Sequence, residues 1–388
     1  PAVLHGLPKP LRPLVRPHHG LQVESLRGKP LMSALLRSVH GFITLKCTIA
    51  SIHPVLIPPD EVPSCGLHFT CIVCSMNSPL QPRILVHGHR GARGLAPENT
   101  LAGFTCALKV GVDALELDLR MSADGKIVIH HDRKLNPDLT RIKAGTWLTS
   151  PTESIDHYTF EALQQFDMGC ARPGSSIIKR FPYQTARDGQ TIPDLAMLRN
   201  RVAPALDDGL FLNLEIKSDP LKPKQGPTPT EWATTLVDEL NTLGLINQCW
   251  VQSFDWRVLR QIHALTDKLP TGFLTSTQPD FDTVTAHANG ASPWLDGYDP
   301  AQNSHSLPRA VAAAGGHYWG PCFQDITHSL VSEAQSLGLE VHTWTVNEIM
   351  HIESMMDYAV DGIISDYPDR VRTVLAKRQY ILPRVFGN

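Results

Sequence analysis

The chain has 388 residues, 42% hydrophobic and 19% charged, the balance of a soluble globular protein able to bury a sizeable core. Its formal net charge of -3 gives no long-range attraction for a polyanion, which excludes nucleic acid binding driven by counterion release. No stretch reads as a transmembrane segment.

Residues 1–75 stand apart, with ten prolines, seven Lys or Arg, three acids and no sustained period of 3.6 or 2.0. They are expected not to pack, as a disordered leader or a stretch outside the native domain, with Met76 a sensible start for a domain of 76–388. Prolines interrupt any amphipathic targeting helix, and the most apolar piece, 42–59, contains Lys46 and His53. The eight cysteines are irregularly spaced, and Cys71 and Cys74 form a CxxC without a second half to complete a zinc site. A reduced thiol set and a cytoplasmic location are therefore expected.

From Ile84 the chain alternates strand and helix signals. Ile84–Val86 runs into a glycine-rich loop, Pro97 and Asn99 punctuate a helix start, and Leu101, Phe104 and Leu108 share one helical face closed by Gly111. Strands follow at 113–119 and 127–131. Too few residues separate these two for a crossover helix, and Asp124-Gly125 is a hairpin dipeptide, so the direction of 127–131 stays open. Residues 133–209 read as an insertion, with helical signal only at 160–166 and 195–202. Strand 210–216 precedes a helix carrying Trp232, Leu236, Leu240 and Leu243 and ending at Gly244. Strand 249–254 precedes another with Val258, Leu259, Ile262 and Leu265. Strands at 271–274, 340–346 and 361–365, with helices at 325–337 and 348–356, complete the series. This is an α/β pattern, and so many units predict a closed, imperfect TIM (β/α)8 barrel with an insertion after the third strand.

Polar residues gather at the strand ends: His89-Arg90 after the first strand, Glu116 and Asp118 on the second, His131-Asp132 on the third, Glu215 and Lys217 on the fourth. Residues i and i+2 of a strand share a face, and strand ends of a barrel converge on one site. Any one pair is more often an ordinary strand edge or ion pair; four at successive strand ends are hard to dismiss. So many carboxylates in one space need an offset, and one divalent cation, Mg²⁺ or Ca²⁺, on Glu116, Asp118 and Glu215 is the simplest. Arg90 and Lys217 then meet an anionic group, for which phosphate is suited, and the two histidines are left for proton transfer. Taken alone, Trp344 reads as core packing and Asp366 as a helix cap or loop partner.

The runs HGHRGARGLAPENT (87–100), ALELDLRMSADGKIVIHHD (114–132), NLEIK (213–217), QSF (252–254), TWTVN (343–347) and DGIISDYPD (361–369) occur in that order. Together they resemble the signature blocks of glycerophosphodiester phosphodiesterases over about residues 84–375, with Ser365 where threonine is commoner. The resemblance implies a metal-dependent hydrolase of glycerophosphodiesters yielding sn-glycerol 3-phosphate and an alcohol. It implies His89 and His131 as the acid-base pair, Glu116, Asp118 and Glu215 as metal ligands, Arg90 and Lys217 on the phosphate, and Trp344 as a pocket wall. His130 and His87 lie one step off and are not expected to be catalytic. The rival readings are a barrel acting on lysophospholipids or sphingomyelin and a catalytically silent phosphate-binding barrel; both histidines are present, which speaks against the latter.

Overall fold

Strand ALELDLRM, Ala114–Met121, shows how the sequence builds the architecture. Leu115, Leu117 and Leu119 point to one side and enter the main hydrophobic core, while Glu116 and Asp118, equally buried, point to the other. Burying each leucine contributes about 1.5–3 kcal/mol. A slip of one residue would forfeit all three and drive two acids into that core, so the register is fixed.

The structure is a computed structural model that describes residues 82–143, 145–285 and 291–387. The expectations for residues 1–75, for Met76 as a start and for the Cys71/Cys74 pair lie outside the described residues. The strands of the main sheet are β1 (Leu85–Gly88), β2 (Ala114–Met121), β3 (Ile127–Ile129), β4 (Phe211–Ile216), β5 (Cys249–Ser253), β6 (Thr271–Thr275), β7 (Tyr318–Pro321), β8 (Glu340–Thr343) and β9 (Gly362–Ser365). All except β3 run parallel, and β1 pairs with both β2 and β9, which closes the barrel. A helix follows each parallel strand in turn: α1 (Leu101–Val110), α2 (Leu195–Asp207), α3 (Pro229–Leu243), α4 (Trp256–Leu265), α5 (Leu307–Ala313), α6 (His328–Ser336), α7 (Ile349–Asp357) and α8 (Pro368–Lys377). The α/β TIM barrel expected from the alternation is therefore present, with an extra strand.

That extra strand is the one whose direction the sequence left open. β3 is antiparallel to the end of β2, pairing Leu119 with Ile129 and Met121 with Ile127, across a turn in which Gly125 has φ 76°. The stave that completes the barrel is β7, which the sequence reading passed over together with α5. Its sequence, YWGP, shows no alternation and holds two turn-forming residues. The insertion is also shorter than read. Helix α2 buries Leu195, Leu198 and Val202 in the main core and belongs to the barrel, leaving residues 133–194 as the inserted segment. This segment has a small core of its own, Leu135, Leu139, Ile155, Leu163, Met168 and Ile192 around Val128. Its expected helix at 160–166 stops at Leu163, because Phe166 pairs with Ile142 in a two-stranded ladder.

Helix α3 illustrates the local signals: Thr228 and Glu231 form a capping box, Pro229 opens the helix, and Gly244 ends it at φ 70°. Among the described residues no helix is long and apolar enough to cross a membrane, and Cys106, Cys170, Cys249 and Cys322 are free thiols.

The inside of the barrel is unusually polar. His87, Asn213, Gln252, Tyr318 and His342 are all buried there, where branched aliphatic residues are the rule. The Tyr318 ring stacks on His342 with centroids 4.6 Å apart, and it fits because residue 272 is glycine: a Cβ there would lie 1.9 Å from Tyr318 Cζ. Gly272→Ala is expected to lower stability by about 1–3 kcal/mol, as overpacking does, read as a fall in the urea midpoint. Gly320→Ala, whose Cβ would meet only the Cδ2 end of Leu274 at 2.5 Å, should cost less; equal midpoints for the two variants would refute this account.

Candidate active site

Register brings the acids together. Asp118 lies beside Glu215 across the β2–β4 ladder, and Glu116 lies two residues before Asp118 on the same face. One carboxylate oxygen from each of Glu116, Asp118 and Glu215 falls within 4.8 Å of the others, and all three residues are buried. Lys217 Nζ sits 2.9 Å from Asp118 Oδ1 and also donates to Glu215 Oε1. Arg90 Nε is 3.1 Å from Asp118 Oδ2.

Electrostatics divide the three. Burial works against ionising any of them. Burial, then Asp118 and Glu215, push Glu116 well above the carboxylate range. For Asp118 burial acts upward too, but Lys217 and Arg90 outweigh it and hold the group well below its ordinary value. Burial raises Glu215, with Lys217 opposing. The donor set suits a hard cation, since an added positive charge is what would let all three ionise together.

The loop after β1 wraps this centre. Arg90 has φ 50°, which aims its backbone N–H at Glu116 Oε2, 2.9 Å away, while its guanidinium reaches Glu98 Oε1 at 2.7 Å. Arg93 Nε is 2.7 Å from the other Glu98 oxygen. Asn99, at φ 53°, donates from Nδ2 to Asp118 Oδ2 at 2.8 Å. It is not the helix cap: Thr100 caps α1 by accepting from Gly103 N at 3.0 Å. Arg120 ties two further site residues by donating to the carbonyls of His131 and Lys217 at 2.7 and 3.0 Å.

His89 Nδ1 lies 2.6 Å from Asp366 Oδ1, and His131 Nδ1 lies 2.7 Å from Asp132 Oδ1. Both carboxyls stay below the usual range: burial acts upward, and His89 on one and His131 on the other more than offset it. An ionised carboxylate accepts only, so each Nδ1 carries the hydrogen and each Nε2 presents its lone pair. His89 Nε2 is 3.9 Å from Glu116 Oε2. Burial lowers the pKa of His89 against the pull of Asp366, and burial with Arg90 and Lys217 takes His131 down to about 3. Burial thus favours the neutral form of both rings.

His89, Arg90, Glu116, His131, Glu215 and Lys217 line one cavity of about 800 Å³. Phe254, Phe281, Trp294 and Trp344 also line it, with Phe254 and Trp344 edge to face at 5.3 Å. Trp344, read from the residues alone as core, is half-buried and lines the cavity, as the resemblance implied. The inserted segment supplies Asn136, Leu139, Ile155 and Ile177. All eight residues singled out for the site therefore converge. His130 lies instead beside a small void with Pro97 and Met168, and His87 is fully buried inside the barrel. Of the two roles expected for Asp366, it caps no helix, because Tyr367 stands at the start of α8, but it is a loop partner: its carboxylate accepts from Asn347 Nδ2 at 2.7 Å and also pairs with His89. Glu98, Asn99 and Gln252 were also missed, although the blocks PENT and QSF contain them.

A family model described as the glycerophosphoryl diester phosphodiesterase family matches residues 89–370. A glycerophosphodiester phosphodiesterase of Bacillus subtilis is 28% identical over 292 residues, 74% of this chain and 85% of its own length. A crystal structure from Silicibacter pomeroyi DSS-3, provisionally named a glycerophosphoryl diester phosphodiesterase, is 35% identical and covers 77% of this chain and 96% of that one, with a TM-score of 0.68. The structure of an Oleispira antarctica phosphodiesterase in complex with the product sn-glycerol-3-phosphate shares the fold at 21% identity and a TM-score of 0.54, covering 76% and 97% of the two chains.

The Glu98 bracket has a stability signature. Burial would raise its pKa, but Arg93 and Arg90 outweigh that and take it from an ordinary 4.5 to about 2. A depressed carboxyl pKa stabilises the fold above the unfolded value, and that stability fades as pH falls toward the folded value. The stability gap between the parent and Glu98→Gln should therefore shrink by about 2 kcal/mol between pH 7 and pH 3, measured by urea unfolding at each pH. A gap that stays constant would show that Glu98 contributes packing rather than charge.

Proposed function

This chain belongs to the glycerophosphoryl diester phosphodiesterase family, and from that premise we propose that it hydrolyses glycerophosphodiesters to sn-glycerol 3-phosphate and an alcohol by two-histidine acid-base catalysis. The observation that carries the reading is the pairing of His89 with Asp366 and of His131 with Asp132 beside one cavity lined by Glu116 and Glu215, with which the buried Asp118 is clustered. A silent phosphate-binding barrel would have no use for two imidazoles held in the same tautomer.

Glu116, Asp118 and Glu215 would hold one divalent cation, Mg²⁺ or Ca²⁺. The chemistry such an ion supplies is a positive centre for substrate oxygens and a more acidic glycerol hydroxyl. Arg90 and Lys217, paired with the acids in the free site, are the cations at hand for the phosphate, and Trp344 forms part of the wall. The glycerol 2-hydroxyl, held next to the phosphorus, gains the effective molarity of an intramolecular nucleophile. One histidine Nε2, of His89 or His131, takes its proton as the oxygen bonds to phosphorus. The other, charged beside the anionic phosphodiester, gives a proton to the departing alcohol oxygen. The resulting cyclic phosphate is opened by water with the two roles exchanged. Asp366 and Asp132 keep each ring oriented throughout.

Two outcomes test this reading. Removal of divalent ions by excess EDTA should abolish turnover of glycerophosphocholine, and Glu215→Gln should weaken cation affinity by at least ~10-fold, as changes in metal shells do, with little change in the melting midpoint. Full turnover after verified metal removal would refute the cation. For the nucleophile, the 2-deoxy analogue of glycerophosphocholine should resist cleavage by at least ~10²-fold. If the analogue is cleaved as fast as the parent compound, water attacks directly and the cyclic phosphate must be abandoned.

A further inference from the structure

Of the three clustered acids, Glu116 alone has no Lys or Arg side chain within ion-pair distance among the described residues; Asp118 has Arg90 and Lys217, and Glu215 has Lys217. Its Oε2 accepts from the Arg90 backbone N–H at 2.9 Å, and its Oε1 lies 3.3 Å from Gln252 Nε2. Gln252 is the last member of a buried string. Its Oε1 is 3.1 Å from both Asn213 Nδ2 and the Tyr318 hydroxyl, that hydroxyl is 2.9 Å from Asn213 Oδ1, and Asn213 Nδ2 is 3.3 Å from His87 Nδ1.

One arrangement of hydrogens satisfies this string. A Glu116 that holds a cation is ionised and accepts only, so Gln252 must then turn its amide nitrogen toward it, as it does at 3.3 Å, and its oxygen toward Asn213 and Tyr318. Asn213 must then present its nitrogen to that oxygen, which leaves its own oxygen for the Tyr318 O–H and its second N–H for His87 Nδ1. The polarity is set from the Glu116 end, and His87 completes it in the tautomer whose Nδ1 accepts from Asn213. Reversing Gln252 would set its carbonyl against the carboxylate and turn Glu116 away. Two neutral N–H donors therefore fix the orientation of Glu116 without neutralising it, leaving its charge for whatever cation the site takes.

We propose that Gln252, aligned by Asn213 and Tyr318, is a positioning residue that sets the Glu116 carboxylate for cation binding. The inference rests on the proposed reading of the acids as a cation site. The test uses the full chain without substrate and reads Mn²⁺ affinity from the free-ion electron paramagnetic resonance signal, with melting midpoints alongside. Gln252→Met, similar in length but without an N–H, should weaken Mn²⁺ binding by ~10-fold or more, and Tyr318→Phe by roughly 3-fold. Because Tyr318 acts through Gln252, the double variant should bind no more weakly than Gln252→Met. An unaltered affinity in Gln252→Met overturns the inference, as does a Tyr318→Phe loss that persists in full in the Gln252→Met background. A drop in melting midpoint with Mn²⁺ affinity intact marks a packing role and overturns it equally. Should Gln252→Met not fold, Tyr318→Phe alone decides, and parental affinity there counts against the string. A parent that binds no Mn²⁺ sinks the cation reading itself, whereas a parent that binds with variants unchanged sinks only the role of Gln252.

Discussion

Everything at the mouth of this barrel answers one electrostatic constraint: three carboxylates buried within a few ångströms of one another repel, and each has lost its hydration. The protein manages this unevenly. Lys217 and Arg90 stabilise Asp118 as an anion, Lys217 is shared with Glu215, and Glu116 receives only neutral donors. The loop after β1 accepts left-handed backbone at Arg90 and Asn99, at a cost of roughly 1–2 kcal/mol each, because that shape points an amide N–H and a side-chain amide at the acids. The strain is offset by the charge-assisted hydrogen bonds it makes possible.

The same logic runs down into the barrel. A wholly aliphatic interior would leave Glu116 with an unsupported oxygen, whereas amide, phenol and imidazole groups on β5, β4, β7 and β1 connect it to the barrel interior. Such a network stabilises only when every member is satisfied. The absence of a side chain at Gly272, which admits the Tyr318 ring, is part of that satisfaction.

Much of this was legible in the sequence, for a physical reason. Alternation in LELDL and NLEIK separates residues that must meet helices from residues that must face inward, so both the barrel and its carboxylates could be read from strand periodicity. What escaped has no local signature. Asp366 touches His89 across 277 residues of chain, and only the closure of β1 against β9 brings them together. Asn99 looked like punctuation before a helix because its short-range pattern is that of a cap, while its partner, Asp118, lies on another strand; Glu98 is bound by Arg90 and Arg93 of its own loop, which no periodicity marks. Strand β7 escaped because YWGP is shaped by the tyrosine it buries rather than by alternation. The insertion was read too long because α2, which closes it, carries an ordinary helical period that says nothing about which unit it joins.

The inserted segment leaves the barrel after β3 and returns at the start of α2, and its two ends are bonded to each other: Ile129 N donates to Pro193 O at 2.8 Å, and Val128 bridges Asp194. A chain segment whose ends are already joined closes its loop at the same place however many residues lie between, and loop-closure entropy grows only slowly with length. With a core of its own, it is a self-contained cassette clipped to one stave. Its length and composition can therefore change with little effect on the place where the acids and imidazoles sit, although it lends Asn136, Leu139, Ile155 and Ile177 to the lining of the same cavity. One part of the cavity lining is thus built on a core separate from the barrel that holds the acids.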